Sequence, residues 1–444
     1  MWTRVLQFLN EPTGAALAKG GLVVLIFKVI GALGGYVLLF SLAKAGGELS
    51  VGVYEVAFTV LVIGSTLGRW GLDTVLVREM SREVSSGGIS RSLYIAVFFR
   101  VTAITSLVAL ALFFGASSLT NLFFEDTPKE ILATAAIAIL PFTLMLLNAE
   151  VFRAIGKTVL FSINQHGTIY IIISLLLWWI PLPEAMAFAD TAQFALMLLL
   201  GLSALFFVVS TIYILSLSAR DVLTNLPWKG QLFRIATPML ISSSLFLVIS
   251  WSDTLMLGYF LPEERVGLYR IVFKVATLIT FAQFALNTVV APMVSAIHKD
   301  HSKLHDLAHK VAQLNLITSG PIFIVILLFG TSLIGFFGVS NPAQAYPWLI
   351  VLAFGQLTNA FSGPVLNILN MTGYEKSARN TMLVVAVLNI ALNALLIPSF
   401  GPLGAAYSTT LTMVGWNIWA ATLVYKYHGV IAVPFLTKYS RKND

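Results

Sequence analysis

Twelve apolar stretches fill most of this 444-residue chain, near residues 18–43, 51–77, 91–116, 130–151, 157–182, 187–217, 232–260, 265–297, 311–337, 346–370, 377–398 and 403–427. A helix needs roughly 20 apolar residues to cross a bilayer core, and each stretch reaches that length. Inside lipid the backbone must satisfy its own hydrogen bonds, so a long apolar stretch is expected to be a helix. The polar segments between stretches are too short to fold separately. Only 11% of the residues are charged, against about 25% in a soluble domain. So few charges cannot cover a water-facing surface. The fold class that follows is an all-α integral membrane protein with twelve transmembrane helices.

The two halves of the chain repeat. Residues 51–59 read VGVYEVAFT, and residues 266–274, 215 positions later, read VGLYRIVFK. Downstream, Asp73-Thr74-Val75 is echoed by Asn287-Thr288-Val289 if one residue is dropped. Six helices per half give two lobes with the same orientation, related by a pseudo-two-fold axis along the membrane normal. The expected boundaries are an N-terminal lobe at 1–218, a linker at 219–231 that contains Pro227, Trp228 and Gly230, and a C-terminal lobe at 232–444. Duplicated blocks of this kind are a common plan for carriers that expose one central site to each side in turn.

Lysine and arginine set the expected orientation, because they concentrate in cytoplasmic loops. With the N-terminus inside, nineteen loop bases fall on the cytoplasmic side and three, Lys44, Lys129 and Arg265, on the outer side. Both termini are then cytoplasmic and the membrane is the cytoplasmic one. Residues 1–19 are too polar for a cleavable signal; Trp2, Val5, Leu6 and Leu9 at helical spacing suit either a surface helix or a disordered leader. Cysteine is absent, which excludes disulfides and thiol chemistry.

Five bases remain inside the predicted spans: Lys28, Arg69, Arg100, Arg270 and Lys274. Each costs roughly 2.5–3.5 kcal/mol at a helix centre on insertion scales. Lys28 and Arg100 each lie nine residues past a loop base, about 13 Å deep at about 1.5 Å per residue, and Lys274 is similarly deep. Arg69 and Arg270 are shallower, within snorkelling reach of an interface. The expectation is a water-filled cavity lined by these bases. Glu55, Thr59, Thr66, Arg69 and Asp73 step by 4, 7, 3 and 4, which puts them on one face of the second helix. That face suits the cavity or hydrogen bonding between helices. The repeat sets Glu55 against Arg270, a candidate pair near the outer mouth. Asp253 follows Ser250-Trp251-Ser252 and suits a coupling cation, a counter-charge or an outer anchor equally. Gln356, Asn359, Asn367 and Asn370 share a face of the tenth helix around Gly363 and Pro364, either to meet sugar hydroxyls or to join helices. Asn164-Gln165-His166 is equally open, and Pro141, Pro238 and Pro292 are candidate bends. His298, His301, His305 and His309 share a helix face, read as an interfacial helix between the eighth and ninth spans rather than a metal site. No HExxH, Walker-type phosphate loop or nucleophile–base pair occurs, so neither metal, cofactor nor catalytic residue is expected, and ATP-driven transport would need a partner.

Several motifs together resemble one family. They are the paired Val-Gly-x-Tyr starts at Val51 and Val266, Asp253-Thr254-Leu255-Met256-Leu257-Gly258, Gly71-Leu72-Asp73 and Gly156-Lys157. The chain resembles the polysaccharide transporter branch, which includes the O-antigen flippases, of the multidrug/oligosaccharidyl-lipid/polysaccharide (MOP) exporter superfamily. The resemblance implies two six-helix lobes around a cleft lined mainly by helices 1, 2, 7 and 8. It implies a substrate, an undecaprenyl-diphosphate-linked oligosaccharide, moved from the inner to the outer leaflet for cell-surface polysaccharide synthesis. Lipid II flippases are similar but usually have two further helices. Membrane lipids, a coupling proton or sodium ion, and polymerase or glycosyltransferase partners fit this reading; nucleic acid does not. Two alternatives stay open: a multidrug–cation antiporter of the same superfamily, and a membrane-embedded polysaccharide polymerase or ligase. Bases outnumber the buried acids five to three against the first, and short outer loops argue against the second.

Overall fold

The structure is a computed structural model that describes residues 12–85, 91–124, 127–165, 168–179, 188–217, 231–297 and 300–431. Among them every regular element is a helix. In chain order these are α1 (Pro12–Arg69), α2 (Leu72–Ser85), α3 (Arg91–Phe123), α4 (Lys129–Ala154), α5 (Thr158–Gln165), α6 (Thr168–Trp179), α7 (Phe188–Leu217), α8 (Gln231–Phe260), α9 (Glu263–Thr277), α10 (Phe281–Ile297), α11 (His301–Gly335), α12 (Pro342–Phe361), α13 (Val365–Met371), α14 (Glu375–Phe400) and α15 (Pro402–His428). A single 3-10 turn, Leu278–Thr280, joins α9 to α10.

Each predicted stretch coincides with a helix, a limb of one or a broken pair. α1 holds the first two, because it is two helical limbs merged across a kink at Gly47 (φ 70°, ψ −171°). Only glycine enters that conformation without a steric penalty. Seven described helices are long and apolar enough to cross a membrane, and up to nine if each bent pair counts as one span. The bent pairs are α5 with α6, at 52°, and α12 with α13, at 45°. The second bend falls at Gly363 (φ 68°) and Pro364, where the sequence predicts one. Large apolar side chains such as Trp179, Phe114 and Leu328 stand 85%, 78% and 70% exposed. Lipid is the medium that suits such a surface, and the chain is a multi-pass membrane protein.

Two predicted boundaries move. The second stretch was expected to run to residue 77, but α1 ends at Arg69; Trp70 (φ 49°) and Gly71 (φ 72°) turn the chain before α2 begins. The apolar pattern runs straight through the turn, so hydropathy does not mark it. The histidine segment is not a separate interfacial helix. Asp300 caps the N-terminus of α11 through the Lys303 N–H, and the helix runs unbroken for 35 residues from His301. No glycine or proline separates the amphipathic turns from the apolar ones, so nothing interrupts the helix there. His298 and His166 lie outside the described residues, as do residues 1–11 and all of the expected linker except Gln231.

The chain divides into two compact units, Met1–Ser244 and Leu245–Asp444. In the first, Leu72, Val75, Leu76 and Met80 of α2 pack with Val97 of α3 and Leu147 of α4. In the second, Val294 of α10, Leu304 and Leu307 of α11, Ile368 of α13 and Val424 of α15 form one core.

Candidate functional site

Within the first unit, the second limb of α1 carries most of the predicted polar stripe. Thr59 donates to the Glu55 carbonyl one turn back (2.6 Å), and both residues are buried. Arg69 sits at the limb's last turn. Its Nη1 binds Asp73 Oδ2 at 2.8 Å, and its Nη2 reaches Thr66 Oγ1 at 3.3 Å. The predicted i, i+4 spacing survives although the helix breaks between the two residues. Opposite, Arg153 pairs with the buried Glu150 of α4 (3.1 Å), and Gln165 of α5 donates to Glu150 (3.0 Å). The Arg69–Asp73 pair lies within electrostatic reach of Glu150. Arg69 and Asp73 therefore largely compensate each other within this charge cluster.

Lys28 and Arg100 differ from Arg69. Lys28, on the first limb of α1, is exposed and forms no ion pair with a described residue. Arg100, in α3, is half-buried and donates to the Ala96 carbonyl of its own helix (2.7 Å). No described carboxylate pairs with it. A guanidinium with only a shared helix carbonyl keeps most of its donors available.

In the second unit, Arg270 is buried in α9. Its guanidinium lies 4.7 Å from the Trp251 ring centre and 5.5 Å from that of Phe273. Asp253 of α8 is also buried and within electrostatic reach of Arg270. Asp253 accepts from Tyr269 Oη at 2.8 Å and from the Thr254 N–H at 2.9 Å. Next to it Ser252 donates to Asn389 of α14 (2.6 Å), and Asn389 accepts from Asn393 and donates to Thr412 of α15. Lys274 follows Arg270 by one turn and is half-buried. The site gathers Arg270, Tyr269, Trp251 and Asp253 into one polar node.

The amides of α12 and α13 join helices. Gln356 accepts from Thr280 (3.1 Å). Asn359 receives Gln283 on its carbonyl (3.2 Å) and Asn417 of α15 on its side chain (3.3 Å). Asn367 donates to Asn287 of α10 (3.0 Å). These bonds engage three of the four amides that were candidates for sugar hydroxyls; the fourth, Asn370, is exposed.

Three features were not anticipated from sequence. Glu48 and Glu263 are also 215 residues apart, and both are buried. Each opens a helical limb, after Gly47 and after Pro262, where the helix dipole favours an acid. The repeat contained this signal three residues before its Val-Gly start. The repeated tyrosines are both buried and both stack on a phenylalanine four residues on. Only Tyr269 has an acid partner; the Tyr54 hydroxyl is buried without a hydrogen bond. Finally, Asn148 of α4 ties three helices: it accepts from Tyr94 Oη and donates to Ser210 and Thr211, each at 2.8 Å.

A family model described as a polysaccharide biosynthesis protein matches residues 17–298, and a second, MatE, matches residues 238–395. Two relatives come from Haloferax volcanii. One, a probable low-salt glycan biosynthesis flippase, Agl15, is 30% identical over 188 residues; the other, a probable flippase, AglR, is 27% identical over 183. Those matches cover 41% and 40% of this chain and 39% and 38% of the relatives. The matched region is thus about two fifths of their length. Among solved structures, the lipid II flippase MurJ in an inward closed conformation aligns over 92% of this chain and 87% of its own, at a TM-score of 0.67 and 16% identity. The MATE multidrug transporter DinF-BH aligns over 96% and 98%, at 0.64 and 16%. At such identities the likeness shows the fold, which is that of these transporters.

Proposed function

The chain belongs to the polysaccharide biosynthesis protein family, and from that membership we propose that it is a flippase for a polyprenyl-diphosphate-linked oligosaccharide. It works as a transporter rather than a catalyst. It moves its substrate from the inner to the outer leaflet of the cytoplasmic membrane by alternating access, with both termini cytoplasmic. The observation that carries the reading is the presence of bases at interior positions of membrane helices. Lys28 and Arg100 have no described acid partner, and Arg270 and Lys274 recur one turn apart on α9. A diphosphate must leave water to cross, and Lys28, Arg100, Arg270 and Lys274 replace its hydration with charge-assisted hydrogen bonds. The polyprenyl tail stays in lipid while the sugar crosses with the headgroup. A site that binds both states equally shifts no population. Net direction therefore comes from an ion gradient, the membrane potential or consumption of product outside; Asp253, in the polar node, and Glu55 are the coupling or gating candidates.

The test is deletion of the gene followed by assay of lipid-linked oligosaccharide on each leaflet. Accumulation on the inner leaflet is expected, with rescue by the intact gene. Arg100→Ala and Lys274→Ala should fail to rescue at normal protein levels; full rescue by both refutes the charge assignment. The MatE match over residues 238–395 favours a second reading, drug–cation antiport. Unimpaired glycan transfer in the deletion strain, together with drug sensitivity, would select it.

A further inference from the structure

The corner between α1 and α2 holds the one non-glycine residue with positive φ among those described, Trp70 at 49°. A bulky side chain rarely adopts that conformation unless its surroundings hold it there. Here α8 does so. Trp70 Nε1 donates to Thr237 Oγ1 at 3.4 Å. Gly71 follows at φ 72° and lies directly on the α8 backbone: a Cβ added there would stand 2.5 Å from the Ala236 carbonyl oxygen and 2.9 Å from the Leu240 nitrogen. Leu232 and Ala236 of α8 complete the buried cluster with Leu72, Val75 and Leu76. The first half of α8 is thus packed into the first unit. Yet α8 is one unbroken helix, and the division between the units falls within it, after Ser244.

This contact is built to separate cheaply. The hydrogen bond from Trp70 is long and exposed, so water can replace it. The rest of the contact among the described side chains is apolar packing around a glycine and an alanine. A permanent anchor in the same unit looks different: Asn148 ties its helices with three buried or half-buried bonds of 2.8 Å. We propose that the Trp70–Gly71 corner is a releasable clasp on the first half of α8, closed in this structure and opened in each transport cycle. Its place in the cycle rests on the flippase reading; its release does not.

The chain has no cysteine, so an introduced thiol reports alone. Ala236 is fully buried under the clasp. Ala236→Cys in native membranes should react slowly with a small permeant maleimide. Adding Trp70→Phe, which keeps a ring and removes the N–H, should speed labelling about twofold, the worth of a hydrogen bond at the weak end of the range. Adding Gly71→Ala should speed it further, because the new methyl meets backbone that cannot rotate away. No labelling in any background, or equal rates in all three, overturns the clasp. If Gly71→Ala fails to accumulate, the Trp70→Phe comparison decides. Trp70→Cys with Thr237→Cys, joined by a short reducible bis-methanethiosulfonate, should stop glycan export until reductant is added. Continued export by the joined protein overturns the clasp's part in the cycle. Failure of the flippase reading looks different: gene deletion would leave no glycan trapped inside, with the labelling rates unaffected.

Discussion

Arg270 acts on Asp253, and a double substitution tests whether it also binds the diphosphate. It is 9% exposed, lies over Trp251 and Phe273, and acts electrostatically on Asp253, which is 3% exposed. If Arg270 only neutralises Asp253, removing both charges together should be nearly harmless. If it also binds the diphosphate, transport should stay impaired. Breaking one side of a buried charge pair costs about 3–5 kcal/mol, because the survivor is left uncompensated. Arg270→Gln and Asp253→Asn should each lower thermal stability on that scale. The double variant should lose much less than the sum, since each change removes the charge that the other strands. A charge-assisted bond to phosphate is worth about 1.5–3 kcal/mol, so export by the double variant should remain roughly tenfold to a hundredfold down. Melting in detergent reads the first effect, and outer-leaflet glycan per molecule of transporter reads the second. A double variant that recovers both stability and export would show that Arg270 serves Asp253 and not the substrate.

The repeated tyrosines should respond oppositely to loss of their hydroxyls. Tyr269→Phe should cost about 1.5–3 kcal/mol, because a charged acceptor loses its donor, whereas Tyr54→Phe should be neutral or stabilising, because its buried hydroxyl has no bond to lose; equal melting shifts would contradict this. Asn148→Ala should cost roughly 2 kcal/mol, from three close bonds at about 0.6 kcal/mol each in membrane proteins. A melting point equal to that of the parent would show that the three helices do not need the tie. Lys303 binds the Asp300 carboxylate through its ammonium and its N–H, and so holds the Asp300 pKa below the ordinary value. A lowered pKa means the cap's contribution is complete above the usual carboxylate range and fades as pH falls through the lowered value. Hydrogen exchange at the start of α11 should rise on acidification through that range, and Asp300→Asn should remove the pH dependence; an unchanged response would exclude Asp300 as its source.

The helices were legible because hydropathy over 20 residues reports burial in lipid directly. Breaks were legible only where a residue carries its own geometric signature. Gly363-Pro364 and Gly46-Gly47 are such places. Trp70-Gly71 is not: a lone glycine between apolar residues reads as tolerable within a helix, and the positive φ is enforced by α8, more than 150 residues away. The polar residues divide in the same way. Residue type and spacing placed Arg69 and Asp73 on a shared face, which depends on chain-local geometry. The partners of Gln356, Asn359 and Asn367 come from other helices, and no periodicity within α12 or α13 names them. Glu48 and Glu263 stand at the same 215-residue offset, but one matching acid three residues before each repeated valine is too little pattern to mark a shared role.

That offset also shows what the duplication kept and what it changed. Val51 and Val266, Tyr54 and Tyr269, and Phe58 and Phe273 occupy equivalent positions, with matching tyrosine–phenylalanine stacks. Packing is therefore the shared part. Chemistry diverges at the positions between: Glu55 answers to Arg270, and Thr59 to Lys274. The surroundings diverge with it. Counting back 215 from Trp251 and Asp253 gives Tyr36 and Leu38, so the first copy keeps an aromatic residue but has no acid where Asp253 stands. An arginine at position 55 would meet no equivalent counter-charge at Leu38, and a glutamate at position 270 would face Asp253 with like charge. Exchanging Glu55 and Arg270 should therefore not restore function, whereas it should if they formed a simple pair indifferent to their neighbours. The two copies are one scaffold with unequal charges: the second carries Arg270 and Lys274 where the first carries Glu55 and Thr59, so under the proposed function substitutions in the second copy should impair export of an anionic headgroup more than those at the matching positions of the first.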